Sequence, residues 1–235
     1  MTLLLVSHGQ PSAPESAEAE LAALAAAVRR LMPGTQVLSA TLAAPGALAR
    51  AAARAETPGQ VYPLFMAGGW FTRVQLPVRL AEAGAKGWTI LEPMGCDPCV
   101  HALALEILRE NLPASSIMLA AHGSGKSPVP AAIATRLAAR IAQELGIRTQ
   151  AGFLEQSPRI AEASGHGPDA LCLPFFAANL THVTEDVPEA LKAAGFQGRV
   201  LPAVGLDPRL PVLIAEAARA GKAICAETCR AAQTV

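Results

Sequence analysis

The sequence predicts an α/β protein made of two tandem, similar three-layer domains, each a mostly parallel four-stranded sheet flanked by helices. Two observations predict it. Short apolar runs alternate with alanine-rich amphipathic stretches along the chain, and strand followed by helix, repeated, is the signature of parallel α/β layers. The order of features also repeats. Leu3-Leu4-Leu5-Val6-Ser7-His8-Gly9 is answered by Met118-Leu119-Ala120-Ala121-His122-Gly123, with the histidines 114 residues apart (122 − 8). Tyr62-Pro63-Leu64-Phe65 is answered by Leu173-Pro174-Phe175-Phe176, and Gly95-Cys96-Asp97-Pro98 by Gly205-Leu206-Asp207-Pro208, 111 and 110 residues on (173 − 62 and 205 − 95). The halves are read as 1–113 and 114–235, joined near Asn111-Leu112-Pro113-Ala114-Ser115.

The elements follow in order. The apolar run Leu3-Leu4-Leu5-Val6 makes 2–6 a strand, and the alanine-rich stretch behind it makes 15–31 a helix. Strand 36–41 and helix 45–55 come next, then strand 60–66 and helix 73–84, and strand 88–91. Asp97-Pro98 marks a strand-to-helix turn that opens helix 98–111. In the second half, strand 116–121 precedes helix 129–145, whose start is postponed by Pro128 and Pro130. Strand 149–154, helix 157–164, strand 170–176, helix 185–194, strand 198–201 and helix 209–221 complete the series. Asp186 is expected to open the helix at 185–194, with Pro188 in its first turn, where a missing N–H costs little.

Composition excludes several classes. The chain has 235 residues, of which 51% are hydrophobic, enough for a real core and too many for a disordered protein. Fifty are alanine and only 4% are aromatic, which points to small-faced, closely packed helices. Lys plus Arg equals Asp plus Glu at 19 each, so bulk electrostatics does not point to nucleic acid or an anionic membrane. No apolar stretch reaches the ~18 residues of a membrane span. Met1-Thr2-Leu3-Leu4-Leu5-Val6 reads as a strand and not as a signal peptide, and five cysteines without a disulfide-scaffold spacing suggest reduced thiols. The expectation is a cytoplasmic protein, monomer or homodimer, with no nucleic-acid or membrane partner.

The residues able to carry chemistry cluster in the second half. His122 follows an apolar strand and precedes Gly123-Ser124-Gly125, at the carboxyl end of a strand, where open parallel sheets bind ligands. The glycines let backbone approach a ligand closely. His182 lies just past another strand, with Asp186 four residues on, and Asp186 or Glu185 is placed to hold its imidazole. Glu155 ends a third strand. Two imidazoles and a carboxylate suit Fe, Co, Ni or Zn as divalent ions, and the same groups accept protons near pH 7. The alternative is ordinary packing at strand ends, with Asp186 a helix cap. A site is expected at the carboxyl ends of the strands, in the cleft between the halves. Aligned on the repeat, His8 matches His122. His182 falls opposite Phe71, Asp186 opposite Gln75, and Glu155 opposite Ala43 or Leu42. The first half therefore keeps one histidine and loses the rest, which puts the working site in the second.

The strand running into His122-Gly123-Ser124, the Phe153-Leu154-Glu155 strand end, and Pro174-Phe175-Phe176 leading to His182, Asp186 and Pro188 together resemble the class II chelatases of tetrapyrrole biosynthesis. Gly205-Leu206-Asp207-Pro208-Arg209 adds minor support. The resemblance covers nearly the whole chain, and is to the long form of the family, with two fused halves. It implies a chelatase-like fold and insertion of a divalent metal into sirohydrochlorin, in cobalamin or siroheme biosynthesis. Co²⁺, Fe²⁺ or Ni²⁺ would be a substrate, and no cofactor would be tightly bound. It also implies that His122, His182 and Glu155 hold the ion or take the pyrrole protons. Donors for the carboxylates of sirohydrochlorin would come from Ser124, Lys126, Asn179, Thr181 and the backbone amides after His122, with His8 lining the cleft. Arg73 and Trp70 lie opposite this site by repeat symmetry. Asn179-Leu180-Thr181 departs from the more glycine-rich turn the resemblance leads one to expect.

Rival readings are a non-catalytic tetrapyrrole or metal carrier using the same cleft, and phosphoryl transfer on His8 or His122. Histidine phosphatases place arginine directly before the histidine, whereas Ser7 and Ala121 stand here. Gly125-Lys126-Ser127 resembles the end of a P-loop, but Ala120 occupies the position of its first glycine. Cys96-Asp97-Pro98-Cys99 is a single CxxC without further zinc ligands, and its repeat partner carries no cysteine. Cys225 and Cys229 would share a helix face, Cys172 reads as core, and His166 as a loop residue.

Overall fold

The computed structural model describes residues 1–224; Cys225 and Cys229 lie outside the described residues. The first compact unit comprises Met1–Cys96 with residues 208–224, the second Asp97–Asp207. Each unit holds one four-stranded parallel sheet. In the first, β1 (Thr2–Ser7), β2 (Gln36–Thr41), β3 (Gln60–Pro63) and β4 (Thr89–Ile90) run in the order β2-β1-β3-β4. In the second, β5 (Ser116–Ala121), β6 (Thr149–Phe153), β7 (Ala170–Pro174) and β8 (Arg199–Val200) run in the order β6-β5-β7-β8. The duplication read from sequence is thus a duplication of topology.

The central strands are continuous apolar runs because helices cover both faces of a parallel sheet. Every residue of β5 is buried, as are the first five of β1. The helices are α1 (Pro14–Leu31), α2 (Ala47–Ala53), α3 (Leu76–Glu82), α4 (Pro98–Glu110), α5 (Val129–Leu145), α6 (Val187–Ala193) and α7 (Leu210–Ala220). In chain order α4 follows the first sheet and α7 the second, yet α4 belongs to the second unit and α7 to the first. Arg109 on α4 pairs with Glu144 on α5 at 2.7 Å, and Arg219 on α7 donates to the Leu31 carbonyl at 2.7 Å. Asp97 caps α4 by accepting the Cys99 N–H at 2.8 Å, the turn expected of Asp97-Pro98.

The second core gathers Met118 and Ala120 of β5, Cys172 of β7, Ile160, Phe176, Val187 and Leu191. Burial pushes the Cys172 thiol up to about 12, a hydrogen bond with Ala120 pulling weakly the other way. Gly205 sits where a Cβ would meet the Ala177 carbonyl oxygen at 2.1 Å, and Gly95 repeats this against Met66 at 2.2 Å. Backbone cannot yield at such distances, so glycine is obligatory at both turns.

Two expectations need correction. The helix read at 157–164 is a single 3₁₀ turn, Ile160–Glu162. Pro158 disfavours helical backbone at Ser157, and the Pro158 carbonyl accepts from the Phe153 N–H at 2.9 Å instead of starting a helix. The second correction concerns Asp186. It makes no cap hydrogen bond, because the chain is already helical before it, in a π-helical turn over His182–Asp186. Proline explains the wide turn. Pro188 has no N–H for the Thr184 carbonyl, and its ring would strike that carbonyl in a tight helix. The Val187 N–H accordingly bonds the His182 carbonyl, five residues back. The first unit repeats the device, with a π turn over Phe71–Gln75 before Pro77.

Candidate functional site

Three segments at the carboxyl ends of β5, β6 and β7 meet in the second unit. His122 leaves β5 and Glu155 leaves β6 side by side: Leu154 N–H donates to the Ala121 carbonyl at 3.1 Å and Glu155 N–H to the His122 carbonyl at 3.0 Å. His182 arrives from the π turn beyond β7. The structure brings the two histidines together, Nε2 to Nε2 at 3.2 Å, with ring planes at 79°. Glu155 Oε1 stands 3.8 Å from His122 Nε2. The His182 ring lies 6.5 Å from that of Phe176, whose side chain is buried in the core. Side-chain exposures of 35% for His122, 49% for His182 and 55% for Glu155 leave the group open to a ligand from solvent.

Hydrogen bonds at the far ring nitrogens decide what the near ones can do. His182 Nδ1 contacts Asp186 Oδ2 at 2.6 Å, and His122 Nδ1 contacts the Gly123 carbonyl at 3.1 Å. Carboxylate and carbonyl oxygens only accept, so both Nδ1 atoms carry the proton. When both rings are neutral, the two Nε2 atoms present lone pairs to one another at 3.2 Å. Two neutral imidazoles so placed repel, and a cation between them removes the repulsion. A tetrahedral ion about 2.0–2.1 Å from each of two imidazole nitrogens holds them roughly 3.3 Å apart. Among the described residues no set of three His, Cys, Asp or Glu side chains converges closely enough to hold a metal ion. The arrangement is a pair of facing imidazole nitrogens with one exposed carboxylate beside it.

The remaining predicted residues divide. Asp186 orients His182; Glu185 is exposed on the same turn. Ser124 lies in the turn after His122, where its hydroxyl accepts the Lys126 N–H at 3.2 Å. Its own N–H donates to Gln156 Oε1 at 2.8 Å. Two backbone amides expected to face a substrate are therefore used inside the turn. Lys126 and Asn179 are exposed and Thr181 half-buried. His8 belongs to the first unit, where its Nδ1 contacts the Gly9 carbonyl at 3.0 Å, as His122 does Gly123. Its ring faces Phe71 at 5.3 Å, and Phe71 stacks on Phe65 at 5.3 Å. Aromatic carbon stands there in place of a second nitrogen. Ala43 N–H donates to the His8 carbonyl at 2.9 Å, which makes Ala43 the counterpart of Glu155. Gln156 was not singled out from sequence; its only signal is its place beside Glu155, opposite Ala44 in the repeat.

No protein-family model and no curated protein matches the sequence. Solved structures do. The chain is 46% identical to a protein described as CbiX, the terminal enzyme for biosynthesis of siroheme in denitrifying bacteria, over 94% of this chain and 99% of that one, with a TM-score of 0.86. Two structures of SirB share the fold at 14% identity, each over 94% of both chains. SirB from Bacillus subtilis with Fe³⁺ has a TM-score of 0.71, and the sirohydrochlorin chelatase SirB from Bacillus subtilis subspecies spizizenii in complex with cobalt has 0.69. With 46% of its residues shared with CbiX over 94% of this chain and 99% of that one, the chain belongs to the class II chelatase family.

Proposed function

We propose that this protein inserts a divalent metal, Fe²⁺ or Co²⁺, into sirohydrochlorin. The observation that carries the reading is the facing pair of Nε2 atoms of His122 and His182, 3.2 Å apart. Borderline divalent ions are suited to imidazole, and the nearby Glu155 carries a carboxylate able to ligate the ion or to accept a proton. Insertion exchanges one M²⁺ for two pyrrole protons, so the site must both hold the ion while it loses water and accept protons. His122, His182 and Glu155 have the chemistry for both tasks, ligation before transfer and proton acceptance after it. The metal is consumed as substrate, and no resident cofactor is required. Similarity to a siroheme-terminal enzyme favours Fe²⁺, because siroheme is the iron complex.

The test is an anaerobic spectroscopic insertion assay with metal-free sirohydrochlorin and Fe²⁺, Co²⁺ or Ni²⁺. The expected result is that the wild type exceeds the spontaneous rate, that His122→Ala and His182→Ala fall to it, and that His8→Ala does not. Failure of His8→Ala alone would move the chemistry to the first half. Pigment binding with no rate above the spontaneous one would make the protein a carrier.

A further inference from the structure

We infer that Gln156 is a positioning residue for the metal seat, acting through the turn His122-Gly123-Ser124. The inference rests on the proposed chelatase reading and goes beyond it to a residue outside the reacting groups. Three observations place it. Gln156 Oε1 accepts the Ser124 N–H at 2.8 Å, two residues after His122. Its aliphatic stem lies against Gly123, which has φ +72°; a Cβ on Gly123 would meet Gln156 Cγ at 2.9 Å and Phe153 Cβ at 3.0 Å. The two residues before Gln156 are tethered in turn, because Glu155 N–H donates to the His122 carbonyl at 3.0 Å and Arg159 Nη1 donates to the Leu154 carbonyl at 2.9 Å. One side chain thus closes a ring of contacts between the segment bearing Glu155 and the segment bearing His122.

The consequence lies in the Gly123 carbonyl. That carbonyl accepts from His122 Nδ1 at 3.1 Å and so sets which nitrogen of His122 is free to face His182. It belongs to the same peptide unit as the Ser124 N–H that Gln156 holds. Gripping the N–H fixes the plane of that peptide and thereby the direction of its carbonyl. Release of Gln156 frees the peptide to rotate, and with it the tautomer and aim of His122. The first unit supplies an internal comparison: its turn after His8 has the same His Nδ1 to glycine carbonyl contact, but Ala44 in place of Gln156 and Phe71 in place of the second histidine. The peptide clamp accompanies the half that has both nitrogens.

The experiment compares the full-length wild type with Gln156→Met, which keeps the packing and loses the acceptor, Gln156→Glu, which keeps an acceptor of the same reach, and His122→Ala. Each is titrated anaerobically with Co²⁺ alone, followed by its visible ligand-field spectrum, and then assayed for insertion at varied metal and varied tetrapyrrole. Gln156→Met is expected to weaken Co²⁺ binding and raise the KM for metal about tenfold. The KM for tetrapyrrole and the melting temperature should stay near wild type, and Gln156→Glu should restore the metal terms to within about threefold. Wild-type metal terms in Gln156→Met would overturn the inference, as would equal losses in Gln156→Met and Gln156→Glu. If the wild type itself shows no Co²⁺ spectrum that His122→Ala abolishes, the metal-seat reading fails first and the inference falls with it.

Discussion

His182 Nδ1 lies 2.6 Å from Asp186 Oδ2, four residues further along a π-helical turn. Four residues apart in a helical turn, the two side chains share one face, and His182 Nε2 is left directed at His122. Single π turns inside helices often mark functional sites. Asp186 therefore orients a ring that would otherwise rotate. Asp186→Ala is expected to lower metal affinity and insertion rate by about 10–100-fold, the usual effect of losing such a partner. Asp186→Asn, which keeps an acceptor without its charge, should fall between. Metal titration alongside the insertion assay checks the order; wild-type behaviour in Asp186→Ala would remove the role.

Gly123 and Gly9 offer a paired test of stability against activity. Both have positive φ, +72° and +74°, and both would push a Cβ into neighbours, Gln156 and Phe153 for Gly123, Thr41 and Ala43 for Gly9. Non-glycine residues held there cost on the order of 1–3 kcal/mol. Gly123→Ala and Gly9→Ala should each lower the denaturation midpoint by a comparable amount. Only Gly123→Ala should also depress kcat/KM for metal, because only it disturbs the turn that carries a paired histidine.

How far the site was legible depends on how local each feature is. The strands and their doubled order are written in apolar runs and in repeated motifs. The meeting of His122 with His182, 60 residues apart, is not local: their shared place at strand ends allowed it, and the resemblance to a family turned that allowance into an expectation. The π turn shows in sequence as nothing more than Pro188, whose effect on the preceding carbonyl depends on the chain entering as helix. The stretch Ile160-Ala161-Glu162-Ala163 has helical composition, yet Pro158 before it and Gly165 after it leave room for one turn. Gln156 was invisible because its partner is a backbone N–H 32 residues away, and backbone donors leave no mark on sequence.

Thiol reactivity should separate the described cysteines. Cys99 is exposed at the start of α4, and Cys172 is buried in β7 with its pKa raised to about 12. The thiolate is the reacting species. Site-resolved alkylation at pH 8 should label Cys99 within minutes and leave Cys172 unmodified until the protein unfolds. Labelling of Cys172 in the native state would mean that the second sheet opens far more often than its burial implies.

His166 should make stability depend on pH. Its Nδ1 contacts the Ser116 hydroxyl at 2.9 Å, and burial, assisted by Arg148, holds its pKa below the usual 6.5. The folded protein thus favours the neutral ring while the unfolded chain takes up the proton. The contribution is present above about pH 6.5 and is lost as pH falls through the lowered folded value. The melting temperature should drop between pH 7 and pH 5, and His166→Gln should flatten that part of the curve. An unchanged slope in the variant would assign the acid sensitivity to other groups.

Glu155 remains the most informative single substitution. Its carboxylate is 3.8 Å from His122 Nε2 and more than half exposed, too far to share a ligand sphere as it stands and close enough to enter one by a change of rotamer. Two tasks are open to it, ligation during capture and proton acceptance during insertion, and they separate kinetically. If it ligates, Glu155→Gln weakens Co²⁺ binding in the absence of tetrapyrrole and raises the KM for metal. If it accepts a proton, Glu155→Gln leaves Co²⁺ binding intact and lowers kcat by about 10²–10⁴-fold. On the proposed reading, two nitrogens would already satisfy a captured ion in part, and the open face beside them would have to admit the ring. Proton acceptance is therefore the expected outcome, with metal affinity changed by less than about threefold in Glu155→Gln and kcat carrying the loss.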